Sequence, residues 1–93
     1  MAKRSIIINS ADNVAVALCD LKKGQTEQGV TLAEDITKGH KFALRDIKRG
    51  ENIIKYGTPI AHATEDISAG RHVHTHNVKT NLNENLEYTY DRV

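Results

Sequence analysis

A five-residue phrase, Asp-Leu/Ile-x-x-Gly, recurs four times: Asp20-Leu21-Lys22-Lys23-Gly24, Asp35-Ile36-Thr37-Lys38-Gly39, Asp46-Ile47-Lys48-Arg49-Gly50 and Asp66-Ile67-Ser68-Ala69-Gly70. Each copy has an Asp able to accept from backbone amides two or three residues on, an aliphatic residue to anchor the turn in a core, and a Gly suited to positive φ. The copies start 15, 11 and 20 residues apart, too uneven for a solenoid, whose units keep a near-constant period. They read as turns within one compact domain.

Between the turns lie short segments rich in β-branched and apolar residues, at 5–9, 14–18, 41–44, 52–56, 60–64 and 71–78. No segment carries a helical stripe over three turns, and Val14, Val16 and Leu18 alternate as a strand does. Six short strands with turns between them predict an all-β fold, a small barrel or clip, with at most short helical turns inside the Asp-Ile-x-x-Gly units. Residues 1–80 form the expected domain. Residues 81–93, with three Asn and two Tyr, have few core-forming side chains and read as a tail or linker that orders against a partner.

The chain has 93 residues, and a domain of this size buries only about 60–68% of the surface its unfolded chain exposes. A deep, water-excluding site therefore calls for another domain or subunit. Thirteen basic residues against twelve acidic ones leave a formal charge of +1, which gives no pull on a phosphate backbone or an anionic membrane. Nucleic acid and membrane are thus not expected partners. One cysteine, Cys19, allows no internal disulfide and reads as a small buried hydrophobe. With only Ile6, Ile7 and Ile8 as an N-terminal apolar stretch, no signal peptide or membrane span is expected, and the location expected is cytoplasmic.

Histidine is the conspicuous residue: five in all, three of them in Arg71-His72-Val73-His74-Thr75-His76-Asn77. On a continuous strand these three share one face, but His72 and His76 stand roughly 13 Å apart, too far for one ion unless the strand bends. The pairs His72/His74 and His74/His76 can each share a metal, and imidazole suits zinc, iron or manganese better than calcium. A solvated or hydrogen-bonded row, or a neutral imidazole acting as general base, fits the same spacing. The residues alone leave these open. Two further clusters, Gly39-His40-Lys41 and Lys55-Tyr56-Gly57, place a cation and a proton-shuttling side chain at strand ends, where the ordinary reading is a solvated Lys and a half-buried Tyr. His62 reads as structural, and Asp12-Asn13 as a local cap. Phosphate loops, dinucleotide fingerprints, Cys-x-x-Cys pairs and serine elbows are absent from the sequence.

Taken in order, Asp12-Asn13-Val14-Ala15-Val16-Ala17-Leu18, Gly39-His40-Lys41-Phe42-Ala43-Leu44-Arg45-Asp46-Ile47, Ile54-Lys55-Tyr56-Gly57-Thr58-Pro59-Ile60 and His72-Val73-His74-Thr75-His76-Asn77 resemble the N-terminal SAF-type domain of the altronate dehydratases, with the galactarate dehydratases and sulfolactate sulfo-lyases as relatives. The resemblance implies a β-clip fold and a hydro-lyase that abstracts the proton α to a sugar acid's carboxylate, aided by iron(II) or manganese(II). It implies His74 and His76 as metal or acid–base candidates, with His74 favoured as the catalytic group and His72, from the spacing, as a further metal ligand, and it implies His40, Lys41, Lys55 and Tyr56 facing the substrate. It also implies a large catalytic region or subunit as partner, with a homo-oligomer as a further option. Where the family usually has Gly after Pro-Ile, this chain has Ala61 and His62, so a different local backbone is expected there if that position needs positive φ. Two other roles fit the same fold: a sulfo-lyase small subunit, and a non-catalytic β-clip binding or assembly module.

Overall fold

The computed structural model describes residues 3–81; the predicted tail, apart from Asn81, lies outside them. Among the described residues there are nine short strands and no helix. They are β1 (Ser5–Ile6), β2 (Val14–Ala17), β3 (Thr26–Glu27), β4 (Val30–Thr31), β5 (Lys41–Ala43), β6 (Asn52–Lys55), β7 (Thr58–Ala63), β8 (His72–Val73) and β9 (Val78–Thr80). All pair antiparallel, in a four-stranded sheet β1-β2-β5-β8, a three-stranded sheet β6-β7-β9 and the β3–β4 hairpin. The fold is all-β, in keeping with the SAF β-clip expected from the sequence.

The Asp-Leu/Ile-x-x-Gly turns explain why the strands are so short. They associate two by two, the first with the second through the bridge Leu21–Ile36, the third with the fourth through Ile47–Ile67. The Asp of each turn accepts from an amide of its partner turn, a correction to the local capping that the sequence suggests. Asp20 Oδ1 accepts from Lys38 N, Asp35 Oδ1 from Lys23 N, Asp46 Oδ1 from Ala69 N and Asp66 Oδ1 from Arg49 N, each at 2.9 Å. The turn glycines, at φ of 85–91°, donate across the same pairs: Gly24 to Leu32 O, Gly39 to Ala17 O, Gly50 to Ala63 O and Gly70 to Ala43 O. Each pair is therefore a pseudo-twofold clasp whose backbone groups are satisfied without a long ladder.

Each clasp closes over its own apolar cluster. Leu21, Leu32, Ile36, Phe42, Ala15 and Ala17 form one; Ile47, Ile67, Ile53, Val14, Ala43, Ala61, Ala63, Val73 and Val78 form the other. Successive residues of a strand face opposite ways, so β2 and β5 supply both clusters, Ala15 and Phe42 on one face and Val14 and Ala43 on the other.

Several expectations need correcting. The segment 71–78 is not one strand, because the chain turns at 74–77 between β8 and β9. The strand expected at 5–9 ends at Ile6, leaving Ile7 and Ile8 exposed, and β2 ends at Ala17, so Cys19 is exposed instead of buried. Asp12 and Asn13 reach well beyond local caps. Asp12 Oδ1 accepts from Gly57 N at 2.8 Å, and Asn13 bridges to β6 by accepting from Ile54 N and donating to Asn52 O. Ala61 lies inside β7 without positive φ, so no glycine is needed there.

Candidate active site

The turn at 74–77 decides the histidine geometry. Asn77, itself buried, accepts from His74 N at 3.1 Å through Oδ1 and donates to His72 O at 2.8 Å through Nδ2. These two bonds fold the segment back on itself, so His76 stands over His72 with ring centroids 5.0 Å apart instead of a strand's length away. The register supplies the fourth ring. Phe42 pairs with His72 and Lys41 with Val73, which sets His40 opposite His74, and those rings stack at 4.1 Å. His40 Nδ1 and His72 Nε2 share a hydrogen bond of 2.7 Å. Spacing alone put His40 in a separate cluster; its place in this one follows from the pairing of β5 with β8, which is not local in sequence.

The electrostatics disfavour a charge on two of these rings, His72 and His74. Burial first, then the neighbouring His76 and His40, push His72 down to about 4, against a smaller upward pull from Glu34. His74 is also lowered, first by burial and then by His40, Lys41 and His76. His74 Nδ1 is buried and has no hydrogen-bond partner among the described residues, a state that polar atoms in folded proteins rarely keep. Glu34, which the sequence reading passed over, accepts from His72 N at 3.0 Å and pairs with Arg71 at 3.4 Å, tying the start of β8 to the first clasp.

Lys41 is the second surprise. It is 3% exposed, against the solvated lysine expected at a strand end, because the register sets it between Val16 and Val73 in the middle of the sheet. Burial, then the charge of Lys55, pushes its ammonium down to about 8. Lys55 closes β6, with its Nζ 4.9 Å from the centroid of the Tyr56 ring. Tyr56 and Gly57 form the two-residue loop between β6 and β7, with φ of 59° and 71°. That loop geometry favours Asn or Gly, and Tyr56 adopts it at a cost of about 1–3 kcal/mol, held by Asp12 on the Gly57 amide. Its side chain is 59% exposed, which corrects the half-buried expectation. His62 lies apart, its Nδ1 2.7 Å from Asn81 Oδ1.

No three His, Cys, Asp or Glu side chains among the described residues are arranged to hold one ion. The 2.7 Å between His40 and His72 nitrogens is a hydrogen bond, shorter than the separation of two ligands each about 2 Å from a metal at tetrahedral angles. The imidazoles have suitable donor chemistry, and the orphaned His74 Nδ1 is free to take a ligand. The ligand set is nonetheless incomplete within these residues.

The four histidines thus gather on the face of β5 and β8 that carries Phe42, whereas Lys41 projects from the opposite face and Lys55 lies against Tyr56 at the end of β6. Residues 3–81 match the family described as altronate/galactarate dehydratase SAF domain. The chain is 54% identical over 89 residues to altronate dehydratase of Escherichia coli (strain K12) and 48% identical over 92 residues to that of Bacillus subtilis (strain 168), covering 91% and 95% of this chain. In both cases it spans only 18% of the relative's length. It is also 41% identical over 63 residues to (2R)-sulfolactate sulfo-lyase subunit alpha of Paracoccus pantotrophus, covering 68% of this chain and 94% of that subunit. The family match over residues 3–81 and these identities show that the chain belongs to the SAF-domain family of the altronate and galactarate dehydratases.

Proposed function

We propose that the chain serves as the SAF part of a sugar-acid hydro-lyase of the altronate type, converting D-altronate to 2-dehydro-3-deoxy-D-gluconate and water together with a large catalytic region or subunit. The observation that carries this reading is the assembly of His40, His72, His74 and His76 at one rim, with His74 Nδ1 buried and unpartnered, in a chain 54% identical to an altronate dehydratase segment. Loss of water requires one group to take the proton α to the carboxylate and another to protonate the departing hydroxyl. An imidazole held neutral, with a free ring nitrogen, suits one of these proton transfers, and His74 is that imidazole. Lys41, Lys55, Tyr56 and His40 face the substrate, as the sequence resemblance implies. Iron(II) or manganese(II), implied by the sequence resemblance, would need ligands from outside the described residues.

An open rim cannot exclude water from a carbanion-like intermediate, so the 93-residue chain alone should show no turnover. Joined to its catalytic partner it should dehydrate D-altronate, with product detected by mass and by its 2-oxo group. Turnover by the chain alone at the rate of the joined protein would refute the division of labour. A second reading, the small subunit of a sulfolactate sulfo-lyase, is favoured by one observation: the match covers 94% of such a subunit's length. Assaying (2R)-sulfolactate beside D-altronate decides between them.

A further inference from the structure

Among the described residues the exposed large apolar side chains are Ile7, Ile8, Leu18 and Tyr56, and they border one stripe. Ile6 pairs with Val16 across β1 and β2, and Leu18, whose amide donates to Arg4 O, continues the alternation on the face of Val16. The core cluster that includes β6, β7 and β9 residues covers Val14, Ala43 and Val73 on this face, but neither core cluster takes in Ile6, Val16 or Leu18. At the far end Ile8 precedes Asn9, and a Cβ at Gly57 would stand 3.0 Å from Asn9 Nδ2, so the Tyr56-Gly57 turn abuts the stripe. Asn81 aims the chain at that turn. β9 runs antiparallel to β7, and Asn81 carries the pairing one residue further by donating from its amide to Ile60 O. Its Nδ2 donates to Pro59 O, Ala61 O and Asn52 Oδ1, which leaves Oδ1 to accept from His62 Nδ1 at 2.7 Å. Three more residues in that direction, roughly 10 Å of extended chain, reach Gly57.

We infer that the occupant of this stripe is the chain's own segment 82–93, laid back as a strap from Asn81 past the Tyr56-Gly57 turn onto Ile6, Ile8, Val16 and Leu18. The segment can span about 40 Å when extended, and the stripe from Ile8 to Leu18 needs roughly 13 Å of it. Leu86, Tyr88 and Tyr90 stand at alternate positions with Glu87 and Thr89 between them, so in extended chain they share one face. Charge favours the same placement. The segment carries Glu84, Glu87 and Asp91 against Arg92, while the stripe is flanked by Arg4 beside Leu18 and by Lys55 beside Tyr56. The carboxylates of Asp12 and Glu27 are held by Gly57 N and Ser5 Oγ. The tether supplies an effective concentration in the millimolar range, so a contact too weak to hold a separate protein suffices here. The inference does not depend on the hydro-lyase reading; a second copy of the chain and an apolar surface of the catalytic partner are the competing occupants.

The test is NMR on the full 93-residue chain. Cross-relaxation peaks should join the rings of Tyr88 or Tyr90 to methyls of Ile6, Ile8 or Leu18. The amides of residues 86–90 should exchange on the order of 10-fold more slowly than in an unstructured chain, as a contact of low local stability does. Leu18→Glu sets a carboxylate on the exposed stripe and should return those amides to the unstructured rate, while the amides of β5 keep theirs. Leu86→Ser should have the same effect from the side of the strap. Unstructured exchange rates in the wild type, or peaks that survive both variants, overturn the inference. Protection that is lost on dilution, with the mass of a dimer by light scattering, assigns the stripe to a second copy and also overturns it. So does protection of residues 86–90 that arises only when the catalytic partner is added.

Discussion

His72 is held neutral by burial and by the imidazoles around it, with its value near 4 well below the ordinary 6.5. Between those two values the unfolded chain takes up a proton that the folded chain refuses, so stability falls as the solution is acidified through that window and is fully present above it. The melting temperature should therefore drop from pH 6.5 to pH 4 more steeply in the wild type than in His72→Gln, as scanning calorimetry can show. For Lys41, lowered to about 8, the unfolded chain also binds more protons. Stability should rise with pH above about 8 until the ordinary lysine range, and Lys41→Met should lack that rise. Glycines at the turns separate conformational from steric cost. Gly24 and Gly70 have nearly equal φ, but a Cβ at Gly24 meets open space whereas one at Gly70 lies 2.2 Å from the carbonyl oxygen of Thr31. Gly24→Ala should cost about 1–2 kcal/mol for the left-handed backbone alone. Gly70→Ala should cost about 3 kcal/mol or more, because backbone must also move. Equal losses in urea unfolding would mean that the β3–β4 hairpin does not press on Gly70.

At the scale of elements, the paired turns carry the fold, and their reciprocity makes a quantitative statement possible. Each exposed Asp-to-amide bond is worth about 1 kcal/mol, while truncating the buried Ile67 to Ala should cost about 2–5 kcal/mol. Asp46→Ala and Asp66→Ala should be similar to each other and well below Ile67→Ala; a ranking in which the Asp variants are the worse would contradict the clasp as described. The phrase itself was legible, since Asp, an aliphatic residue and Gly at fixed offsets announce a turn. The partner of each Asp was not, because a carboxylate bonded to an amide 12 to 23 residues away leaves no local spacing to read. The β3–β4 hairpin also escaped notice. Its loop is Gln28-Gly29, both at positive φ, and Gln lacks the turn preference that makes Asn-Gly or Asp-Gly conspicuous. Likewise His-x-His-x-His in an extended reading spans too far for one cluster. Asn77, a turn residue at its end, was the one available sign of the bend. Asn77→Ala should therefore cost about 2 kcal/mol by leaving buried backbone groups unpaired, and should disperse the His76–His72 contact, visible as altered imidazole resonances.

For the molecule as a whole, two clasps on either face of β2 and β5 fix the ends of β5, β6 and β8, and those ends carry every candidate site residue except His76. The sequence resemblance to the altronate dehydratases reached the family and its motifs, but could not show that His40 stacks on His74 or that Lys41 is buried, since both depend on the register of β5 with β8. The resulting rim is chemically poised and physically open, which is why the account assigns turnover to the joined protein. Its central claim is that His74 works on the substrate and does not merely hold the parts together. The measurement is D-altronate turnover by the chain joined to its catalytic partner, compared with His74→Ala, while association is followed by light scattering. The account predicts a loss of kcat of about 100-fold or more, the range for a general acid–base group, with association unchanged. Near-normal kcat in a fully assembled His74→Ala complex would contradict it.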